Sequence, residues 1–183
     1  MTTSELKPKS SNQGFTLIEL IIVILIVSVL AISVFVRFNG NTGFAEYTYQ
    51  ARLISSLRNL QNRALFDTRE NYCFQINFDL ALPAFGPPTL NYTNGNGSDT
   101  CETSIDFNNP DYLTTTALEM SENDISLTTV GDNNTSFSLL RFDSYGRPFS
   151  DSTTCLNTCK ITLTGEATIS VCIESEGYIH ACE

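Results

Sequence analysis

The sequence predicts an α+β fold: a long N-terminal helix, half transmembrane and half amphipathic, packed on an antiparallel β-sheet head. Three observations predict it. Apolar residues run from Leu17 to Val36 around a single charge, Glu19. Helical periodicity returns between Phe44 and Phe66. From Tyr72 onward, short alternating segments are separated by turn residues. The implied organisation is a polar leader over 1–14, a transmembrane helix over 15–36, a glycine-interrupted amphipathic extension over 37–69 and a disulfide-rich β head over 70–183.

The apolar run is about 20 residues, or roughly 30 Å of helix at about 1.5 Å per residue, enough to cross the hydrocarbon core of a bilayer. A secretory signal has a shorter apolar core, of about 7–15 residues, and ends in small residues. An ordinary single-pass anchor fits the length but leaves Glu19 unexplained. A carboxylate at the centre of a membrane helix costs about 2.5–3.5 kcal/mol, which makes it a functional feature by default. Lys7 and Lys9 precede the run and only Arg37 closely follows it. That asymmetry predicts a cytoplasmic N-terminus and a head on the far side of the membrane.

Gly14 ends the hydrophilic leader, Phe15 begins the apolar run, and Glu19 is the fifth residue counted from Phe15. This order, Gly-Phe-Thr-Leu-Ile-Glu-Leu, resembles the N-terminus of type IV prepilins and of the related pseudopilins of type II secretion. The resemblance implies cleavage after Gly14 by a prepilin peptidase on the cytoplasmic side and methylation of the new N-terminus, Phe15, by the same enzyme. It also implies that Glu19 meets the N-terminal amine of a neighbouring subunit during assembly. The physics agrees, since a carboxylate in a low dielectric needs a cationic partner.

Between Arg37 and Phe44 stand Gly40, Gly43 and three asparagine or threonine residues, Asn39, Asn41 and Thr42. Each glycine costs a helix up to ~1 kcal/mol and asparagine favours caps and turns, so the helix is expected to be interrupted or strained here. Beyond it, Leu53, Leu57, Leu60 and Ala64 fall at spacings of four, three and four, with Tyr49 and Ile54 beside the same face. An amphipathic helix from about Phe44 to Phe66 follows, its apolar side on a sheet. Arg52, Arg58, Arg63 and Arg69 lie largely off that stripe and are expected to form a free basic side.

Tyr72-Cys-Phe-Gln-Ile-Asn-Phe alternates like a half-buried strand. Residues 81–98 hold Pro83, Gly86, Pro87, Pro88, Gly95 and Gly97, which predict a long irregular surface loop. Segments 125–130, 136–142, 161–164 and 168–173 read as further strands, with a turn signal at Gly131-Asp-Asn-Asn. A helix followed by antiparallel strands gives an α+β domain.

Removal of residues 1–14 from 183 leaves 169 and raises the negative charge from −10 to −11. The remainder suffices for one soluble domain with a modest core. So acidic a chain argues against nucleic acid as a partner, because phosphate neutralisation needs clustered Lys and Arg. All six cysteines, Cys73, Cys101, Cys155, Cys159, Cys172 and Cys182, lie beyond residue 70, and an even count in an exported domain reads as disulfides. Six cysteines allow 15 connectivities, among which spacing alone does not choose. The favoured set is Cys73–Cys101, Cys155–Cys159 and Cys172–Cys182, the first closing a long loop for about 3–4 kcal/mol in the chain-entropy treatment. Cys155 and Cys159 have a tolerable spacing for a metal. However, His180 is the only histidine and there is no second close cysteine pair, so no metal or other cofactor is expected.

No catalytic motif is present: there is no G-x-S-x-G, H-E-x-x-H or phosphate loop, and no enzyme activity is expected. Asp106, Glu119, Glu122 and Asp124 read as solvated surface. Asn91, Asn96, Asn133 and Asn134 match glycosylation acceptors but read as ordinary Asn-rich loops.

Two later segments refine the resemblance. Arg141-Phe-Asp-Ser-Tyr-Gly-Arg-Pro-Phe149 is similar to a hairpin of minor pilins and pseudopilins of the GspH/FimT type, with Gly146 at the turn. Residues 169–179, Ile-Ser-Val-Cys-Ile-Glu-Ser-Glu-Gly-Tyr-Ile, are similar to the closing hairpin of that group. The cysteine-rich head resembles the C-type minor pilin of the mannose-sensitive haemagglutinin (MSHA) pilus. The resemblance implies a minor pilin that joins or primes a type IV pilus, with other pilin subunits, a prepilin peptidase, the inner-membrane assembly platform and the lipid bilayer as partners. Two alternatives stand beside it: a pseudopilin of a type II secretion system, and a tip adhesin that uses residues 81–124. Localisation in the bacterial inner membrane, then in the filament or at the cell surface, follows from the first reading.

Overall fold

In the computed structural model the described residues are 15–38, 44–69, 71–90, 101–150, 152 and 155–182, the side chains of 32–38 excepted. The leader with Gly14, the expected break at Gly40 and Gly43, and the loop holding Gly95 and Gly97 lie outside them. The chain divides into two units, 1–41 and 42–183.

The first unit contains α1 (Leu17–Phe38), of 22 residues. Every described side chain from Phe15 to Ala31 is exposed. Among the described residues no helix is long and apolar enough to cross a membrane; the expected span extends past Ala31, where description of the α1 side chains stops.

The second unit is α+β. Helix α2 (Ala45–Phe66) buries Tyr49, Leu53, Leu57, Leu60 and Ala64, the stripe that the spacing predicts. The Asp67 N–H returns to Arg63 O at 2.7 Å and ends the helix. Among the described residues, eight strands form two four-stranded antiparallel sheets. One has the order β2-β1-β4-β5, from β1 (Gln75–Asp79), β2 (Ala84–Gly86), β4 (Leu139–Phe142) and β5 (Pro148–Phe149). The other has the order β3-β6-β7-β8, from β3 (Ser126–Val130), β6 (Thr158–Thr164), β7 (Thr168–Glu174) and β8 (Ile179–Cys182). Thr129 ties the sheets together. Its hydroxyl donates to Phe137 O and accepts from Phe137 N–H, joining β3 to the segment before β4. Helix α2 covers both sheets, and its leucines meet Ile76, Leu140, Ile161, Val171 and Ile173 in one core. Leucine-to-alanine changes at such sites cost about 2–5 kcal/mol.

Strand β1 departs from the half-buried expectation. Gln75, Ile76, Asn77 and Phe78 are all buried. The second face is covered by residues 101–105, whose carbonyls take the polar side chains: Gln75 and Asn77 both donate to Glu102 O at 2.9 Å, and Asn77 also donates to Ser104 O. The Cys73–Cys101 disulfide pins that cover beside the strand. Cys155–Cys159 and Cys172–Cys182 are the other two disulfides.

The Pro-rich stretch after β1 is also more ordered than a surface loop. Phe85 exchanges both backbone hydrogen bonds with Thr115, and Pro88 bridges Ile105. A short helix, α3 (Ala117–Ser121), follows with a complete capping box between Thr116 and Glu119. Composition hid the two bridges because each joins residues far apart along the chain.

Candidate functional site

The predicted N-terminal residues occupy the start of α1. Phe15 and Thr16 precede the helix, and Glu19 lies in its first turn. The Glu19 N–H donates to Thr16 Oγ1 at 3.3 Å and the Leu20 N–H to Thr16 O at 3.2 Å, so Thr16 acts as the N-cap. Thr-Leu-Ile-Glu is the T-x-x-E pattern of a capping box, a signal present in the sequence beside the methylation-type order. A carboxylate here also sits at the positive end of the helix dipole. Glu19 and Phe15 are both exposed, so the first turn of an otherwise apolar helix displays an anionic group.

In the head, the two refining segments meet. The β4–β5 and β7–β8 hairpins have the same build, a turn closed by a left-handed glycine: Ser144-Tyr-Gly146 with φ +77°, and Ser175-Glu-Gly177 with φ +87°. Gly146 N–H donates to Asp143 O and Gly177 N–H to Glu174 O, each at 2.8 Å. The Gln61 side-chain amide of α2 donates to Gly146 O at 2.8 Å and to Gly177 O at 2.6 Å. One glutamine thus holds a turn from each sheet against the helix.

The α2 arginines are not the free basic side that the sequence predicts. Arg52 pairs with Glu119 at 3.0 Å, Arg58 donates to Ile179 O at 2.8 Å, and Arg63 donates to Tyr112 O–H at 2.9 Å. Those three partners lie far along the chain, where spacing does not reveal them. Arg69, just past the helix, pairs with Asp67 and lies over the Tyr72 ring. Glu119 and Asp106 stay partly exposed, as expected of surface carboxylates, and have local roles: Glu119 caps α3 and binds Arg52, and Asp106 accepts from the Asn108 and Asn109 N–H groups.

A residue that sequence reasoning missed is Glu46, 2% exposed in the first turn of α2. Its Oε1 accepts from Ala167 N–H at 3.0 Å in the β6–β7 turn. Gly165 admits it, since a Cβ there would fall on the same oxygen. The Ala167 N–H holds the Glu46 carboxyl below the usual carboxylate range, while burial opposes. A group with a lowered folded pKa contributes stability that is complete above its unfolded value of 4.5 and lost as pH falls through the folded value. Glu46→Gln is therefore expected to lower stability by about 1 kcal/mol at pH 7. It should also shrink the further loss between neutral and strongly acidic pH, read by denaturant unfolding at several pH values. An unchanged acid limb would count against this role.

His180, the only histidine, pairs with Glu174 at 3.0 Å and stacks on Tyr178. The Glu174 hydrogen bond raises its pKa. Among the described residues, two mostly apolar clefts open on the head. One, of about 410 Å³, is lined by Asp143, Arg147, Phe149, Leu156 and Ser175. The other, of about 490 Å³, is lined by Phe78, Leu80, Ser104, Ile105 and Phe107. Among the described residues, no group of His, Cys, Asp and Glu has the arrangement of a metal site.

No curated protein and no solved structure matches the chain. Residues 9–35, which hold Gly14, Phe15 and Glu19, match the prokaryotic N-terminal methylation motif, and this supports a type IV pilin-like or pseudopilin substrate of prepilin peptidase.

Proposed function

We propose that the chain is a minor type IV pilin of the GspH/FimT type, similar in its cysteine-rich head to the C-type minor pilin of the MSHA pilus. It is cleaved after Gly14, methylated on Phe15, held in the inner membrane by residues 15–36 and then drawn into a filament. Its role is structural, not catalytic. The observation that carries the reading is the methylation motif over 9–35 with Glu19 exposed in the first turn of α1. An apolar helix whose described side chains, Phe15 to Ala31, are all exposed needs lipid or other helices around it, and a pilin moves from one to the other. The α+β head with its three disulfides suits an exported subunit.

Mass spectrometry of the mature protein tests this. The expected N-terminus is methylated Phe15, and a chain retaining Met1 would overturn the assignment. The pseudopilin reading shares this N-terminus and parts from ours in a deletion strain: loss of filaments with normal secretion supports the pilin. A second reading, a ligand-binding tip subunit, draws on the 490 Å³ cleft, whose size and apolar lining suit a small ligand. Normal filaments with poor attachment in the deletion strain would favour it.

A further inference from the structure

The two glycine turns joined by Gln61 share one end of the head with the Cys155–Cys159 loop, since Ser175 N–H donates to Asn157 O at 3.2 Å. Three large side chains stand out from this end: Tyr145 at 75%, Leu156 at 74% and Tyr178 at 65% exposure. The 410 Å³ cleft opens beside them. Exposed tyrosine next to an apolar cleft is the composition of an interface centre, where a few aromatic anchors supply most of the binding energy.

The charge around these anchors says what covers them. Asp143, Glu174 and Glu176 belong to the two turns. Two cationic groups lie beside them: Arg147 is taken by Asp143 at 2.8 Å and lies over the Tyr145 ring, and His180, when protonated, is taken by Glu174 at 3.0 Å, while Glu176 stands exposed in its turn. Elsewhere in the head Arg52, Arg58, Arg63 and Arg69 are held by internal partners. From Phe44 onward the sequence has seven Lys and Arg against eighteen Asp and Glu, a net of −11. A second copy would bring the same acidic surplus to the contact. Anionic lipid headgroups and nucleic acid are turned away for the same reason.

We propose that this face docks on a different protein chain that presents Lys or Arg around an apolar anchor, and that its acidity excludes a second copy of this chain. The inference rests on the filament-subunit reading and adds the chemistry of the neighbour. Positive facing negative potential selects partners and like charges reject them. A subunit built this way enters an assembly singly, between or beneath unlike subunits.

The test places a benzoylphenylalanine photo-crosslinker at Tyr145 or Tyr178 of the full chain in its own cells, with a control at Leu118, which is 68% exposed and lies on α3. The expected adduct joins a different chain through a peptide bearing Lys or Arg, at a yield that falls about fivefold with Glu176→Lys. Adducts with a second copy, adducts on peptides without Lys or Arg, a yield unmoved by Glu176→Lys, or no adduct above the Leu118 control would each overturn the proposal. The N-terminal mass is read on the same sample. An unprocessed chain would overturn the filament reading, whereas a processed chain without the adduct would overturn only this face.

Discussion

Gly177→Ala is expected to destabilise the head by about 2–5 kcal/mol, the sum of two costs. At φ +87° an L-residue pays about 1–2 kcal/mol for the approach of its Cβ to the backbone. The new methyl would also fall within the Gly146 carbonyl and the Gln61 amide, and neither can retreat without breaking the bridge that holds both turns. Overpacking of that kind costs about 1–3 kcal/mol. Gly146→Ala separates the two contributions. Its φ is +77°, but the nearest atoms to a Cβ are Leu65 Cδ2 at 3.3 Å and Gln61 side-chain atoms at 3.4 Å. The conformational cost dominates there, about 1–2 kcal/mol, because the ends of two flexible side chains need give way by only a few tenths of an ångström. Urea unfolding of the two variants beside the parent reads the difference. Equal losses at the two glycines would show that the Gly177 contact contributes nothing.

Gly177 also marks where local sequence stops informing the fold. Gly146 is legible as a turn because it stands between Tyr145 and Arg147-Pro148 in a recognisable hairpin. Gly177 belongs to a segment that reads as a closing hairpin. That one glutamine from α2 clasps both is not legible, since Gln61 lies 85 residues from Gly146 and 116 from Gly177. The same division runs through the fold. Helix α2 is expected over about 44–66 and spans Ala45–Phe66, and β3 and β7 fall on segments that read as strands, because their apolar periods are local facts. Gln75 and Asn77 look solvent-facing because the strand alternates, yet carbonyls of residues 102 and 104 cover them. Glu46 is one acidic residue among many until Ala167, 121 residues on, supplies its N–H. Thr16 and Thr116 differ from these. Both begin a T-x-x-E pattern that is legible without any structure, and Thr116 closes the full reciprocal box.

Glu19→Val is expected to leave membrane insertion and cleavage after Gly14 intact while lowering incorporation into filaments about tenfold or more. Insertion gains from the change, because a carboxylate within the hydrocarbon costs about 2.5–3.5 kcal/mol and valine removes that cost. The helix start loses little, since Thr16 still accepts from the backbone N–H at position 19. What disappears is the one charge between Phe15 and Val36 able to hold a neighbour's amine. A tenfold loss corresponds to about 1.4 kcal/mol, a modest demand on a charge pair shielded from water. Glu19→Gln keeps shape and hydrogen bonding but not charge, so it should lose nearly as much if pairing with an amine is the function. Thr16→Val, which removes only the cap, should lose far less. Quantifying each variant in sheared filaments against its processed pool in the membrane distinguishes these cases. Normal incorporation of Glu19→Val would remove Glu19 from assembly and leave it as a helix-start residue. A loss shared equally by Thr16→Val would trace the defect to the first turn of α1 and not to the charge.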